Sequence, residues 1–151
     1  MGYTHSYTIN LSWQHDRQGL LASNDLDQQL EVATPPPFPK GVERVWSPEH
    51  LFTAAISSCL MTTFLAIAEN FKLDFESFTC PATGKLDQVE GRYRMTEVIL
   101  EPVVTIVDAK DESKALRVLE KAEAACLITN SVTAKVTMKP RVVIVNLEAV
   151  L

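Results

Sequence analysis

Residues 51–68, LFTAAISSCLMTTFLAIA, run for 18 positions without a single charge. A run of that length either crosses a membrane or sits inside protein. Five of its residues carry hydroxyls (Thr53, Ser57, Ser58, Thr62 and Thr63), no basic belt or Trp/Tyr anchor pair flanks it, and strand-like segments surround it. Those features argue against a membrane span. The remaining reading is a helix buried on every side. A chain of 151 residues rarely encases about six helical turns by itself. A second copy solves the problem, and the small residues Ala54, Ala55, Ser57 and Ser58 let a neighbouring helix come close. The run therefore predicts a homodimer whose helix packs on its own sheet and on a partner. The helix is expected over 47–70: Ser47 can cap it, Pro48 suits its first position and Glu49 complements the positive end of its dipole.

Around this helix the chain reads as one domain over residues 1–151. Residues 3–13, YTHSYTINLSW, are rich in strand formers, HDRQG (15–19) reads as a turn with Gly19, and strand-like pieces follow at 20–23 and 28–33. TPPPFPKG (34–41) holds four of the eight prolines and reads as a stiff, polyproline-like connector. Residues 73–107 read as three strands with Gly84 and Gly91 as turn candidates. A second helix is expected over 111–126, with Ala115, Leu116, Leu119, Ala122 and Cys126 on its apolar face. Two further strands, AKVTM and RVVIVNL, are separated at Pro140. Strands and helices are grouped rather than alternating, which predicts an α+β fold with mainly antiparallel sheets around the long central helix.

The formal charge of −5 and the absence of a basic run exclude a nucleic-acid or anionic-membrane partner from the expectations. The start, MGYTHSYTIN, lacks a basic region followed by an apolar core, so a cytoplasmic location is expected. Three cysteines, Cys59, Cys80 and Cys126, are too few and too odd for a disulfide framework. His5, His15 and His50 have no metal-ligand spacing with them, and no phosphate-cradling loop or nucleophile elbow occurs. Neither a metal nor a cofactor is expected.

A free cysteine inside an apolar helix is, taken alone, a small hydrophobe. The pattern around Cys59 points further. SPEHLFTAAISSCLMTTF (47–64) resembles the signature of the OsmC/Ohr family, the osmotically inducible and organic-hydroperoxide-resistance proteins. In that family a Pro-Glu at a helix start precedes Leu-Phe, small residues and a helix cysteine, and a second cysteine lies near the end of the second helix, where AEAACLITNSV places Cys126. The resemblance extends over residues 3–147 in element order. Two departures stand out: Leu127 follows Cys126 where the family commonly has proline, and prolines largely replace the glycine-rich approach to the first helix.

The resemblance implies an intertwined dimer that reduces organic hydroperoxides, with hydrogen peroxide a poorer substrate. It assigns Cys59 as the attacking thiolate, Cys126 as the resolving thiol, an arginine in the first hairpin loop as the activating cation, and Glu49 as that arginine's partner. Arg17, in DRQG, matches the loop position; Arg44, in GVERVW, is the rival. A dithiol would restore the thiols. Burial alone raises a thiol's pKa and the middle of a helix offers no dipole help, so a guanidinium beside Cys59 is expected. Glu49 and Cys59 lie ten residues apart on one helix, about 15 Å along its axis. That separation predicts a composite site in which Arg17 and Glu49 of one chain meet Cys59 of the other. Cys80 reads as a bystander. A ligand-binding protein without catalysis, or a redox-sensing stress protein, would use the same fold.

Overall fold

The computed structural model describes residues 2–146. The chain divides into two compact units, Met1–Leu51 and Phe52–Leu151. In the first, strands β1 (Asn10–His15), β2 (Gln18–Ala22) and β3 (Leu30–Ala33) form an antiparallel sheet in that order. The strand expected from residue 3 begins only at Asn10. The first hairpin turns at Asp16, whose φ is 46°, and Arg17, while Gly19 lies inside β2 opposite Trp13. The indole of Trp13 donates to the Asp16 carbonyl at 3.0 Å and closes that turn.

The proline segment is not extended. Phe38 N–H bonds the Pro35 carbonyl at 3.1 Å, Gly41 N–H bonds that of Phe38 at 3.0 Å, and Val42 N–H returns to Thr34 at 2.8 Å. Two tight turns fold the segment back on itself, because prolines with φ already fixed favour turns as readily as extended chain.

Helix α1 (Pro48–Asn70) matches its expected span. The Ser47 hydroxyl accepts from the His50 amide at 3.2 Å and lies 2.6 Å from the His50 ring Nδ1, so cap and third helical residue are tied together.

In the second unit, β4 (Ser77–Thr79), β5 (Ala82–Val89), β6 (Arg92–Leu100) and β7 (Val103–Ile106) precede helix α2 (Glu112–Ala125), followed by β8 (Lys135–Met138) and β9 (Arg141–Ile144). This is four strands where three were expected. Pro102 has no N–H to continue a ladder, and it splits the run from Thr96 to Val107 into β6 and β7. Pro140 splits β8 from β9 in the same way. The two breaks lie side by side: β8 runs parallel to β6 in the sheet β5-β6-β8, and β9 parallel to β7 in the sheet β4-β7-β9. Lys139 N–H bonds the Leu100 carbonyl at 2.8 Å and Arg141 N–H that of Pro102 at 2.9 Å, so both chains change sheet together. The remaining pairs, β4 with β7 and β5 with β6, are antiparallel, giving an α+β fold rich in antiparallel pairing.

Glu90 and Gly91, with φ of 51° and 77°, make the expected turn between β5 and β6. Gly84 does not turn. It sits in β5, where a Cβ would collide with the Thr53 side chain and the Met95 methyl, so its bareness lets α1 lie close on the sheet.

The core gathers Ile56, Leu60, Phe64 and Ala68 of α1, Val98 and Leu100 of β6, Val104 and Ile106 of β7, and Ala115, Val118, Leu119 and Ala122 of α2. Phe64 meets the rings of Phe75 and Phe78 at centroid separations of 5.2 and 4.8 Å. The opposite face of α1 stays open: Ser58, Met61, Thr62, Leu65 and Ala66 recur at helical spacing, with Met61 39% and Leu65 43% exposed. By length and composition α1 is apolar enough to cross a membrane, and 28% of its most apolar window is buried in the protomer.

Candidate functional site: a cysteine pair

The spacing of the α1 core residues places Cys59 beside the buried row Ile56, Leu60 and Phe64, at the edge of the core, 9% exposed. Its sulfur lies 3.9 Å from the Thr63 hydroxyl, one turn further along. Cys126 ends α2. There the backbone leaves the helix (φ −64°, ψ 108°), its N–H bonds Glu123 at 3.3 Å, and its side chain is 1% exposed. Both thiols are free. They lie nearly seventy residues apart in sequence, and the fold brings them close enough for each thiol to bear on the acidity of the other.

The two sulfurs are driven apart in acidity. Burial pushes the Cys59 thiol up, but donation from the Ile128 amide, the Cys126 thiol, the Thr63 hydroxyl and the Leu127 amide outweighs it, leaving Cys59 below its ordinary value. Burial pushes Cys126 up. The Thr129 hydroxyl, donating to its sulfur at 3.2 Å, pulls the other way, but donation to Cys59 holds the proton on Cys126. The pair is therefore arranged with Cys59 as the more readily ionised sulfur and Cys126 as the one that keeps its proton longer. A guanidinium is the group expected from the sequence to favour the thiolate. Within the protomer, donors that lower Cys59 come from the turn after α2, and those amides were missed because a backbone donor carries no residue letter.

Cys80, between β4 and β5, is half-buried, and burial together with the nearby Glu101 carboxylate raises its thiol. Its sulfur contacts the Pro81 carbonyl at 3.8 Å.

Arg17 and Glu49 lie in the first unit. The Arg17 carbonyl accepts from the Thr34 amide at 3.2 Å, which ties the hairpin turn to the start of the proline segment. Both residues line a cavity of about 410 Å³ whose remaining wall is largely apolar, including Leu11, Trp13, Val32 and Phe38. Arg44, with φ 65°, lines a separate cavity beside Trp46 and His50. Among the described residues, no three His, Cys, Asp or Glu side chains converge as metal ligands would.

The fold has close counterparts among solved structures. An OsmC-like protein of unknown function from Vibrio cholerae superposes with a TM-score of 0.79 at 25% identity, over 91% of this chain and 99% of that one. An organic hydroperoxide resistance protein from Elizabethkingia anophelis gives 0.72 at 23% identity, over 95% and 100%. The organic hydroperoxide resistance protein OhrB of Bacillus subtilis gives 0.67 at 18%, over 90% and 98%. Comparison with curated protein sequences finds no match. The family model described as OsmC-like protein matches residues 41–141, a stretch that contains both buried cysteines, all of α1 and α2 and both strand crossings. On that match and this fold, the chain belongs to the OsmC-like protein family.

Proposed function

We propose that the protein is a thiol-dependent peroxidase that reduces organic hydroperoxides with Cys59 and Cys126. The observation that carries this reading is the pairing of two buried free thiols, Cys59 shifted below its ordinary value and Cys126 above it. The Cys59 thiolate attacks the outer peroxide oxygen, the O–O bond breaks and the organic fragment leaves as an alkoxide that takes up a proton. Cys59 becomes a sulfenic acid. The Cys126 sulfur then attacks the Cys59 sulfur, a disulfide forms, and the sulfenic hydroxyl leaves as water with the proton Cys126 gives up. An external dithiol reduces the bridge. Relatives named as organic hydroperoxide resistance proteins support the substrate class.

Mass spectrometry after one equivalent of cumene hydroperoxide should show a Cys59–Cys126 bridge. A bridge through Cys80 instead would remove Cys126 from the resolving role, and three intact thiols with unconsumed peroxide would end the reading.

Arg17 and Glu49 are proposed as the cationic arm, lent by the partner in a homodimer. Their shared cavity supports the pairing, and the uncovered stripe of α1 supports the dimer. A guanidinium fork can hold a peroxide oxygen during attack, and Arg17→Met should lower kcat/KM for cumene hydroperoxide by about a hundredfold. An unchanged kcat/KM would return the role to Arg44 or to no arginine.

One observation favours a second reading. The largely apolar cavity around Trp13 and Phe38 would suit an apolar ligand held without turnover. A bound apolar molecule that co-purifies with protein unable to consume peroxide would select it.

A further inference from the structure

The turn after α2 sends successive backbone donors to sulfur. In that turn Asn130 N–H bonds the Cys126 carbonyl at 3.0 Å, Ser131 N–H that of Ile128 at 2.9 Å and Val132 N–H that of Thr129 at 3.4 Å. Among the described residues, the Leu127, Ile128 and Thr129 amides bond no backbone carbonyl. An amide without a carbonyl partner in its turn can donate to a sulfur that faces it. The Ile128 and Leu127 amides face the Cys59 sulfur, and the Thr129 amide faces that of Cys126. Resting on the reading of Cys59 as the attacking group, we infer that the paired amides of Leu127 and Ile128 form a fixed anion cradle that holds the Cys59 thiolate within each protomer.

Two amides locked in a hydrogen-bonded turn need no rearrangement when the sulfur ionises, and bonds to an anion are the strong kind. The Leu127 side chain points away, 66% exposed, so residue 127 acts on the sulfur through its main chain. The other contacts at the Cys59 sulfur are the Thr63 hydroxyl and the Cys126 thiol, the latter being the titratable group among them. An arginine brought by a partner would add to this cradle rather than create the thiolate.

Proline at position 127 would delete one donor. Cys126 already has the extended backbone that a following proline favours, so the turn can accept it. At neutral pH, with peptide-resolved mass spectrometry, Cys59 of Leu127→Pro protein should alkylate with iodoacetamide about tenfold more slowly than Cys59 of Leu127→Ala protein, which keeps the N–H. Equal rates in the two variants would overturn the cradle. A second measurement needs no change in the turn. In Cys126→Ser protein, the amide proton resonances of Leu127 and Ile128 should move with pH at the midpoint of Cys59 alkylation, and in Cys59→Ser protein that movement should vanish. Resonances that stay flat in the first, or still move in the second, would also overturn it. Neither readout requires peroxide turnover. A protein that shows both effects but consumes no peroxide would lose the proposed function and keep the cradle.

Discussion

Cys59→Ser protein should lose dithiol-dependent consumption of cumene hydroperoxide by about a thousandfold or more, because a serine hydroxyl does not ionise near neutral pH and leaves no nucleophile on α1. The substitution is nearly isosteric at a position on the edge of the core, so the protein should keep its helical signal in far-UV circular dichroism. Cys126→Ser gives the contrasting outcome. It keeps the attacking sulfur, so it should still consume about one equivalent of peroxide and then stop as a sulfenic acid. If Cys59→Ser protein consumes peroxide at the original rate, the sulfur of α1 has no part in the chemistry. Stoichiometric consumption separates the two cysteines more cleanly than a steady-state rate, since both variants lose the full cycle.

The largest expected effect on stability lies one turn beyond. Phe64 is fully buried and meets the rings of Phe75 and Phe78, so it joins α1 to the segment that enters β4 and to β4 itself. Phe64→Ala removes most of an aromatic side chain from a closed site and should cost about 3–5 kcal/mol. That is a large part of the about 5–15 kcal/mol that holds a typical domain together, and Tm should fall by about 10 °C. The figure assumes limited collapse around the gap, which the two flanking rings make reasonable. Thermal unfolding followed by circular dichroism checks it. A fall of only 1–2 °C, about a tenth to a fifth of that expectation, would mean that the aromatic cluster repacks freely.

Much of this arrangement could be read from residues. Ser47, Pro48 and the uncharged run gave α1 to within one residue of its start, because cap chemistry and composition are local. The second helix showed its buried row through Ala115, Leu119 and Ala122, and Cys126 fell at its end. The errors have physical causes too. Pro102 sits in a run that reads as one strand, and only tertiary pairing with β8 and β9 makes it a crossing between sheets. The proline segment looked extended because fixed φ values fit both an extended chain and tight turns. Gly84 looked like a turn, yet its reason is the close approach of Thr53, residues that are neighbours only in space. At the site, the cysteines were visible and their meeting was not spelled out by spacing. The amides of Leu127 and Ile128 were invisible for a different reason: every residue but proline has that donor, and only the fold aims it.

The two cysteines lie nearly seventy residues apart in sequence, and this has a thermodynamic side. A bond between Cys59 and Cys126 would close a long loop of the unfolded chain, and cross-links over loops of that size add about 4 kcal/mol when the native geometry accepts them. Each catalytic cycle would then alternate a stapled protein with an unstapled one. The oxidised form would resist heat and proteases better than the reduced form, so thermal resistance itself would report the redox load the protein carries.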